Sequence, residues 1–142
     1  MKKNLTKEQI KDILTTAIEG GIAYWAILDN TTPEWKDARA AWCRVASEYD
    51  NSDIKPCYCD VAYEVLVAGK EIIFIDAETD DIDDPNEAEI YRLTMDKFVK
   101  GCEMWEERSH KSLADAIDWC EYDADDADII IQFALFGEIM FG

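Results

Sequence analysis

Glu71-Ile72-Ile73-Phe74-Ile75-Asp76 distinguishes a mixed fold from an all-helical one. β-Branched and aromatic residues dominate it, and such residues are typical of strands. A second stretch of this kind, Glu89-Ile90-Tyr91-Arg92-Leu93, follows after an acidic segment. The two stretches predict a small antiparallel β-hairpin or sheet that carries a long acidic loop.

The chain before the hairpin begins with a helical pattern. Thr6 and Gln9 match a capping box, in which each residue satisfies a backbone N–H of the other at the start of a helix. Gly20-Gly21 is expected to end this first helix in a left-handed cap, a conformation that glycine accepts. The segment Ile22–Ile27 that follows is either a short strand or the start of another helix.

The other helices are predicted from their start signals, which are Ser, Thr, Asp or Pro ahead of apolar residues at helical spacing. The expected helices run from Thr32-Pro33 to about Tyr49, over Asp60–Ala68, from Thr94 to about Gly101, from Ser112, and from Asp123 or Asp125 into the last apolar run. The prediction is a single α+β domain over residues 1–142, mostly helical, with about five helices beside the small sheet.

The composition is that of a folded chain in a reducing compartment. Apolar residues make up 49% of the 142 residues, which is enough to build a core. The five Cys are an odd number, and the polar start of the chain does not match a signal peptide. The longest apolar stretch, Ile129–Phe141, is too short to cross a bilayer. A cytoplasmic protein is therefore expected.

Charge is distributed very unevenly. The formal net charge is −18, and two segments without Lys or Arg, from Asp76 to Tyr91 and from Ser112 to Gly142, carry −16 of it. Such a chain repels DNA, RNA and anionic membranes. The charge predicts no direct binding to nucleic acid or membrane, and it favours cations, basic proteins, or proteins that themselves hold nucleic acid.

Twelve carboxylates in these two acidic segments are the candidate partner-binding residues. They are Asp76, Glu78, Asp80, Asp81, Asp83, Asp84, Glu87, Asp118, Glu121, Asp123, Asp125 and Asp126. Acids at helix starts favour the helix macrodipole and acids in general favour solubility, so both explanations compete with binding in the C-terminal segment. No helix start requires the acids of the hairpin segment, which leaves a solvated loop or a binding surface.

Metal sites are not predicted. Four carboxylates match the ligand positions 1, 3, 5 and 12 of an EF-hand loop: Asp76, Glu78, Asp80 and Glu87. Asp81 stands where that loop needs glycine, and the flanking segments are strands rather than helices. Cys57 and Cys59 form a C-x-C pair without the spacing of a zinc site.

Catalytic motifs and cofactor motifs are not recognisable either. His110 is the one histidine, and it lies in a polar stretch that predicts a surface position. The chain has no nucleophile elbow, no phosphate-binding glycine loop and no dinucleotide fingerprint. A non-enzymatic protein without a cofactor is therefore expected.

Two stretches carry a resemblance to a known class of proteins. They are residues 19–25, from Glu19 to Trp25, and residues 125–142, from Asp125 to Gly142. The middle of the chain is consistent with them at Leu66, Gly69, Phe74, Asp76, Leu93, Thr94 and Phe98. The chain resembles small proteins of unassigned function that are encoded by bacteriophages and prophages. The resemblance implies an accessory role in the cytoplasm of a host bacterium, and small acidic phage proteins include anti-CRISPR and anti-restriction inhibitors that mimic DNA.

Three hypotheses on function follow. The first is an inhibitor whose acidic surface binds the basic surface of a nucleic-acid-binding host protein, and it requires the two acidic segments to form one exposed face. The second is a module that sequesters a small nucleotide signal in a pocket formed by Tyr24 and Trp25 with Arg39, Arg44 or Arg92. The third is a structural or regulatory phage protein that forms a homodimer through Phe133–Phe141.

Overall fold

Helices and a three-stranded antiparallel sheet make up the described part of the chain. The computed structural model describes residues 2–49, 55–78 and 89–142. The elements are α1 (Lys7–Thr16), a π-helical turn (Ala17–Gly21), β1 (Ala26–Leu28), α2 (Pro33–Tyr49), α3 (Tyr58–Val67), β2 (Ile72–Asp76), β3 (Ile90–Leu93), α4 (Met95–Ser109), α5 (Leu113–Asp118) and α6 (Ala124–Phe136). The predicted class, a mostly helical α+β fold with a small antiparallel sheet, is confirmed.

The sheet has the order β1-β2-β3, so β2 lies in the middle. Ala26 of β1 pairs with Asp76, and Leu93 of β3 pairs with Ile72. Alternate residues of β2 are buried, which is the pattern of a strand with one face on the core. The predicted hairpin thus gains a third strand. Of the segment Ile22–Ile27, for which the sequence had left strand and helix open, only Ala26 and Ile27 belong to this strand, and the residues before them form a turn.

Local capping signals locate most helix starts correctly. Thr6 and Gln9 form the predicted capping box, Ser112 caps α5, and Asp123 rather than Asp125 caps α6. The helical run that begins at α1 does end at Gly21, but not in a left-handed cap. A Cβ on Gly21 would lie 2.7 Å from the carbonyl oxygen of Ala124, so this glycine permits close packing on α6.

Two helix boundaries differ from the prediction. α3 begins at Tyr58 rather than Asp60, because Asp60 is the third residue of the helix and its carboxylate accepts from the backbone N–H of Cys57. α4 continues past Gly101 to Ser109. Gly101 lies where α4 crosses α6, and a Cβ there would approach the carbonyl oxygen of Ile130 to 2.4 Å. Gly101 therefore allows α4 and α6 to pack closely where they cross, and it does not end α4.

The core is centred on α6, which packs most extensively on α4 and also contacts α1, the π-helical turn and β3. Its Ile130 and Ile131 are fully buried, together with Phe98 of α4, Leu14 of α1 and Phe74 of β2. Burial on more than one face agrees with the apolar pattern of this helix. Among the helices of residues 2–49, 55–78 and 89–142, none is both long enough and apolar enough to span a bilayer.

Replacing Gly101 should destabilise the fold through the α4–α6 crossing. We expect Gly101→Ala to lower the free energy of unfolding by about 1–3 kcal/mol, since the clash with a backbone oxygen outweighs the gain in helix propensity. Urea unfolding measures this change. Gly20→Ala is the matched control, because a Cβ at Gly20 meets nothing within 4 Å. A Gly101→Ala protein as stable as the Gly20→Ala control would contradict the crossing as described.

Candidate protein-binding surface

A buried carboxylate anchors the first turns of α6. Asp128 is only 8% exposed. Its oxygens accept three hydrogen bonds, from Tyr24 Oη (2.6 Å), Trp25 Nε1 (2.8 Å) and Gln132 Nε2 (2.8 Å). A buried charge is tolerated when several donors satisfy it. Asp128 therefore does more than favour a helix start, because it ties α6 to the turn ahead of β1.

Gln132 extends this network to the C-terminal residues. Its Oε1 accepts from the backbone N–H groups of Met140 (2.7 Å) and Phe141 (2.8 Å). The ring of Phe141 stacks on Trp25 at a centroid distance of 4.8 Å and an interplanar angle of 8°. Most of the segment suggested for dimerisation is therefore engaged within the chain, and Ile139 and Met140 are its exposed apolar side chains.

Asp76, the first acid of the hairpin segment, lies inside the fold at the end of β2. It is 7% exposed and accepts hydrogen bonds from Tyr91 Oη and from the backbone N–H of Glu78. Burial, and then the hydrogen bond to Asp76, raise the pKa of the Tyr91 hydroxyl above its usual range. Asp76 is therefore a poor candidate for direct contact with a partner, whereas Glu78 is exposed.

Trp25 joins the two acidic segments. The N–H of Ala77, next to Asp76, donates to the carbonyl of Trp25 (2.9 Å), while the indole N–H donates to Asp128. Both segments thus contact the same residue. The other acids predicted in the hairpin segment, Asp80, Asp81, Asp83, Asp84 and Glu87, lie outside the described residues.

The C-terminal acidic segment runs alongside α1. Asp115 forms a salt bridge with Lys3, which precedes α1, at 2.6 Å. Asp118 accepts a hydrogen bond from Gln9 Nε2, in the first turn of α1, at 3.0 Å. At the other end of this region, Gly21 packs against Ala124. The segment therefore extends from the start of α1 to the turn that holds Trp25.

Asp123 and Asp126 form the capping box of α6. Each side chain accepts from the backbone N–H of the other, at 3.0 and 3.1 Å. Asp126 also accepts from the indole N–H of Trp105 (3.1 Å) and is half-buried, whereas Asp123 stays exposed. Helix capping thus accounts for the presence of both residues, and only Asp123 also presents its charge to solvent.

Trp119 is the most exposed large apolar residue among the described ones, at 77%. It follows α5 directly and is succeeded by Cys120, whose φ of 58° turns the chain. Exposed acids lie on both sides of it in the sequence. We call Asp118, Trp119, Glu121, Asp123 and Asp125 the acidic surface; all five are exposed.

The sequence alone did not single out Trp119 as a binding residue. Its signal was a tryptophan directly after a short helix, with Asp118 before it and Glu121 two residues after it. No family model, curated protein or solved structure matches this chain. Within the described residues, no group of three or more His, Cys, Asp and Glu side chains is placed to hold a metal ion.

Removing the charge of Asp128 should destabilise the protein. We expect Asp128→Asn to lower the free energy of unfolding by about 1.5–3 kcal/mol, because an amide cannot accept all three hydrogen bonds and brings a donor of its own. Asp125→Asn, an exposed change on the same helix, should stay within about 0.5 kcal/mol of the parent. Urea unfolding compares the two, and equal effects would show that the Asp128 network does not stabilise the fold.

The same network predicts a loss of stability at alkaline pH. Desolvation and the hydrogen bond to Asp128 raise the pKa of Tyr24 to about 12. An unfolded tyrosine ionises near pH 10, so this contribution is complete below about pH 10 and is lost as the pH rises towards 12. Between these pH values, the free energy of unfolding should fall less for Tyr24→Phe than for the parent. An equal loss in both proteins would contradict the assignment.

Proposed function

We propose that this protein is a non-enzymatic phage or prophage accessory protein that binds the basic surface of a host nucleic-acid-handling protein and inhibits it, as anti-CRISPR and anti-restriction proteins do. It acts in the bacterial cytoplasm, and the acidic surface makes the contact. The observation that carries the proposal is the exposure of Trp119, 77%, between exposed carboxylates.

Trp119 has the properties of an interface anchor. A tryptophan ring offers roughly 150–250 Å² of apolar surface, and its burial in a partner contributes several kcal/mol at about 25 cal/mol per Å². Tryptophan is enriched among the residues that dominate binding energy, and these residues lie within a rim of polar contacts. In this proposal, the exposed carboxylates near Trp119 in the sequence form that rim and specify a basic partner.

The charge of the acidic surface is largely uncompensated. Lys111 Nζ lies 3.8 Å from Glu121 Oε2. In the part of the chain that the structure describes, no side-chain cation lies within 4 Å of the carboxylates of Asp118, Asp123 or Asp125. A groove that holds duplex DNA is adapted to about one negative charge per 1.7 Å of axis. Carboxylates along one segment supply negative charge that such a groove can bind.

The hairpin segment extends this surface in the proposal. Trp25 contacts both the end of β2 and the first turns of α6. Glu78 and Glu89, which flank the acids outside the described residues, are exposed. In the proposal, Glu78 and Glu89 add their charge to that of the acidic surface.

Partner capture tests the proposal. The protein is immobilised, bacterial lysate is applied at low salt, and the captured proteins are eluted by high salt and identified by mass spectrometry. We expect a protein that binds DNA or RNA, and we expect its nucleic-acid binding to be lost when this protein is added. Trp119→Ala should weaken the complex by about 30-fold or more, the size expected for an anchor residue.

Charge neutralisation gives the matched comparison. One variant combines Asp118→Asn, Glu121→Gln, Asp123→Asn and Asp125→Asn, and asparagine keeps the helix cap at residue 123. The control removes four exposed acids elsewhere: Glu34→Gln, Asp37→Asn, Glu48→Gln and Asp96→Asn. Only the first variant should lose most of its affinity for the captured partner, and the binding that remains should depend less on salt. Equal binding by the two variants would refute the acidic surface as the contact.

A further inference from the structure

A cavity of about 550 Å³ lies between α2 and the start of α3. Lys36 and Arg39 line it from α2, and Lys55 lines it from the residues ahead of α3. No residue of the acidic surface lines it. The volume is within the roughly 300–1,000 Å³ typical of sites for small ligands.

Three cations converge on this cavity in a chain with a large excess of acids. The sequence has 32 acidic and 14 basic residues, so each cation has many carboxylates available to it. Yet within residues 2–49, 55–78 and 89–142, no carboxylate lies within 4 Å of Lys36, Arg39 or Lys55. Among the described residues of the lining, Glu19 contributes the one carboxylate. The positive charge of the cavity is therefore available to a ligand.

An aromatic ring stands at the same cavity. Tyr58, the first residue of α3, is 47% exposed, and its ring centroid lies 6.2 Å from that of Trp35 at an interplanar angle of 43°. Trp35 is 4% exposed, so it supports the tyrosine from within the fold. The exposed ring of Tyr58 offers a surface on which a flat heterocycle can stack.

The start of α3 adds a smaller electrostatic contribution. The positive end of a helix dipole favours anions, and Cys57 and Tyr58 at the start of α3 both line the cavity. The nearby charge of Asp60 is engaged by Lys11 Nζ at 2.7 Å. The guanidinium of Arg39 and the two ammonium groups are the donors suited to phosphate oxygens, Arg in a bidentate manner.

We propose that this cavity binds a nucleotide, with the phosphates on Lys36, Arg39 and Lys55 and the base on Tyr58. Glu19 accepts a hydrogen bond from a ribose hydroxyl. Neither Tyr24 nor Trp25, which the sequence suggested for such a pocket, lines the cavity, while Arg39 does. The site is separate from the acidic surface, so the two proposals succeed or fail independently.

Calorimetric titration with ADP, GDP, CDP and UDP, and with pyrophosphate and adenosine, tests the site. We expect at least one nucleoside diphosphate to bind in a one-to-one ratio, more tightly than pyrophosphate or adenosine. Absence of binding by all four at millimolar concentration overturns the proposal. Pyrophosphate binding as tightly as the best nucleotide overturns the assignment of the ring to Tyr58.

Substitutions locate the ligand. Arg39→Gln should weaken binding of the best nucleotide by about tenfold or more, the loss expected for a charged hydrogen bond. Lys100→Gln is the control of equal charge change, because Lys100 is exposed on α4 and does not line the cavity. Tyr58→Ala should weaken binding by about tenfold and Tyr58→Phe much less. Equal losses for Arg39→Gln and Lys100→Gln would refute this location.

Cysteine alkylation provides a second measurement, on the protein without substitutions. Cys57 and Cys120 are both exposed, and only Cys57 lines the cavity. The best nucleotide should slow the alkylation of Cys57 by iodoacetamide by about tenfold at saturation, as read by peptide mass spectrometry, and leave Cys120 unchanged. Unchanged alkylation of Cys57 at a nucleotide concentration that saturates the calorimetric signal contradicts the site.

Arg39→Gln should capture the partner of the acidic surface as well as the parent does, because Arg39 is not part of that surface.

Discussion

The buried carboxylate of Asp128 is the constraint on which much of the structure depends. Two of its three donors, Tyr24 and Trp25, lie in the turn ahead of β1, and the third, Gln132, lies in α6. Gln132 also accepts a hydrogen bond from the backbone N–H of Phe141. Stacking of Phe141 on Trp25 then closes the aromatic cluster over the end of the sheet. The side chain of one residue thereby connects the turn ahead of the sheet, the last helix and the final residues.

This arrangement explains why so acidic a chain folds. Asp128 and Asp76 are satisfied by donors inside the fold, and Asp123 and Asp126 satisfy backbone groups at a helix start. The other acids of the C-terminal segment remain in contact with water, where repulsion between them is weaker. Apart from Asp123, which caps α6 and is also exposed, the acids that stabilise the fold differ from those that the proposal assigns to a partner, although the two kinds alternate along the sequence.

Local features of the fold were predictable from the sequence, and features set by distant residues were not. The capping box of Thr6 and Gln9 lies within four residues, and so does the Asp123 cap. The role of Gly101 depends on the backbone of α6, which no local pattern reports. In the candidate surface, the acids were recognised by composition. The exposure of Trp119 was missed because an aromatic residue in sequence is the same whether it is packed or not.

The contact between Trp25 and the C-terminal part of the chain has a consequence for folding kinetics. The indole of Trp25 bonds to a carboxylate 103 positions later. Contacts of such wide separation form slowly, because a long loop must close before they contribute. During synthesis, the face of the Trp25 ring on which Phe141 stacks stays uncovered until Phe141 has been made. The aromatic cluster around Trp25 is therefore completed only after the residues of α6 and Phe141 have been synthesised.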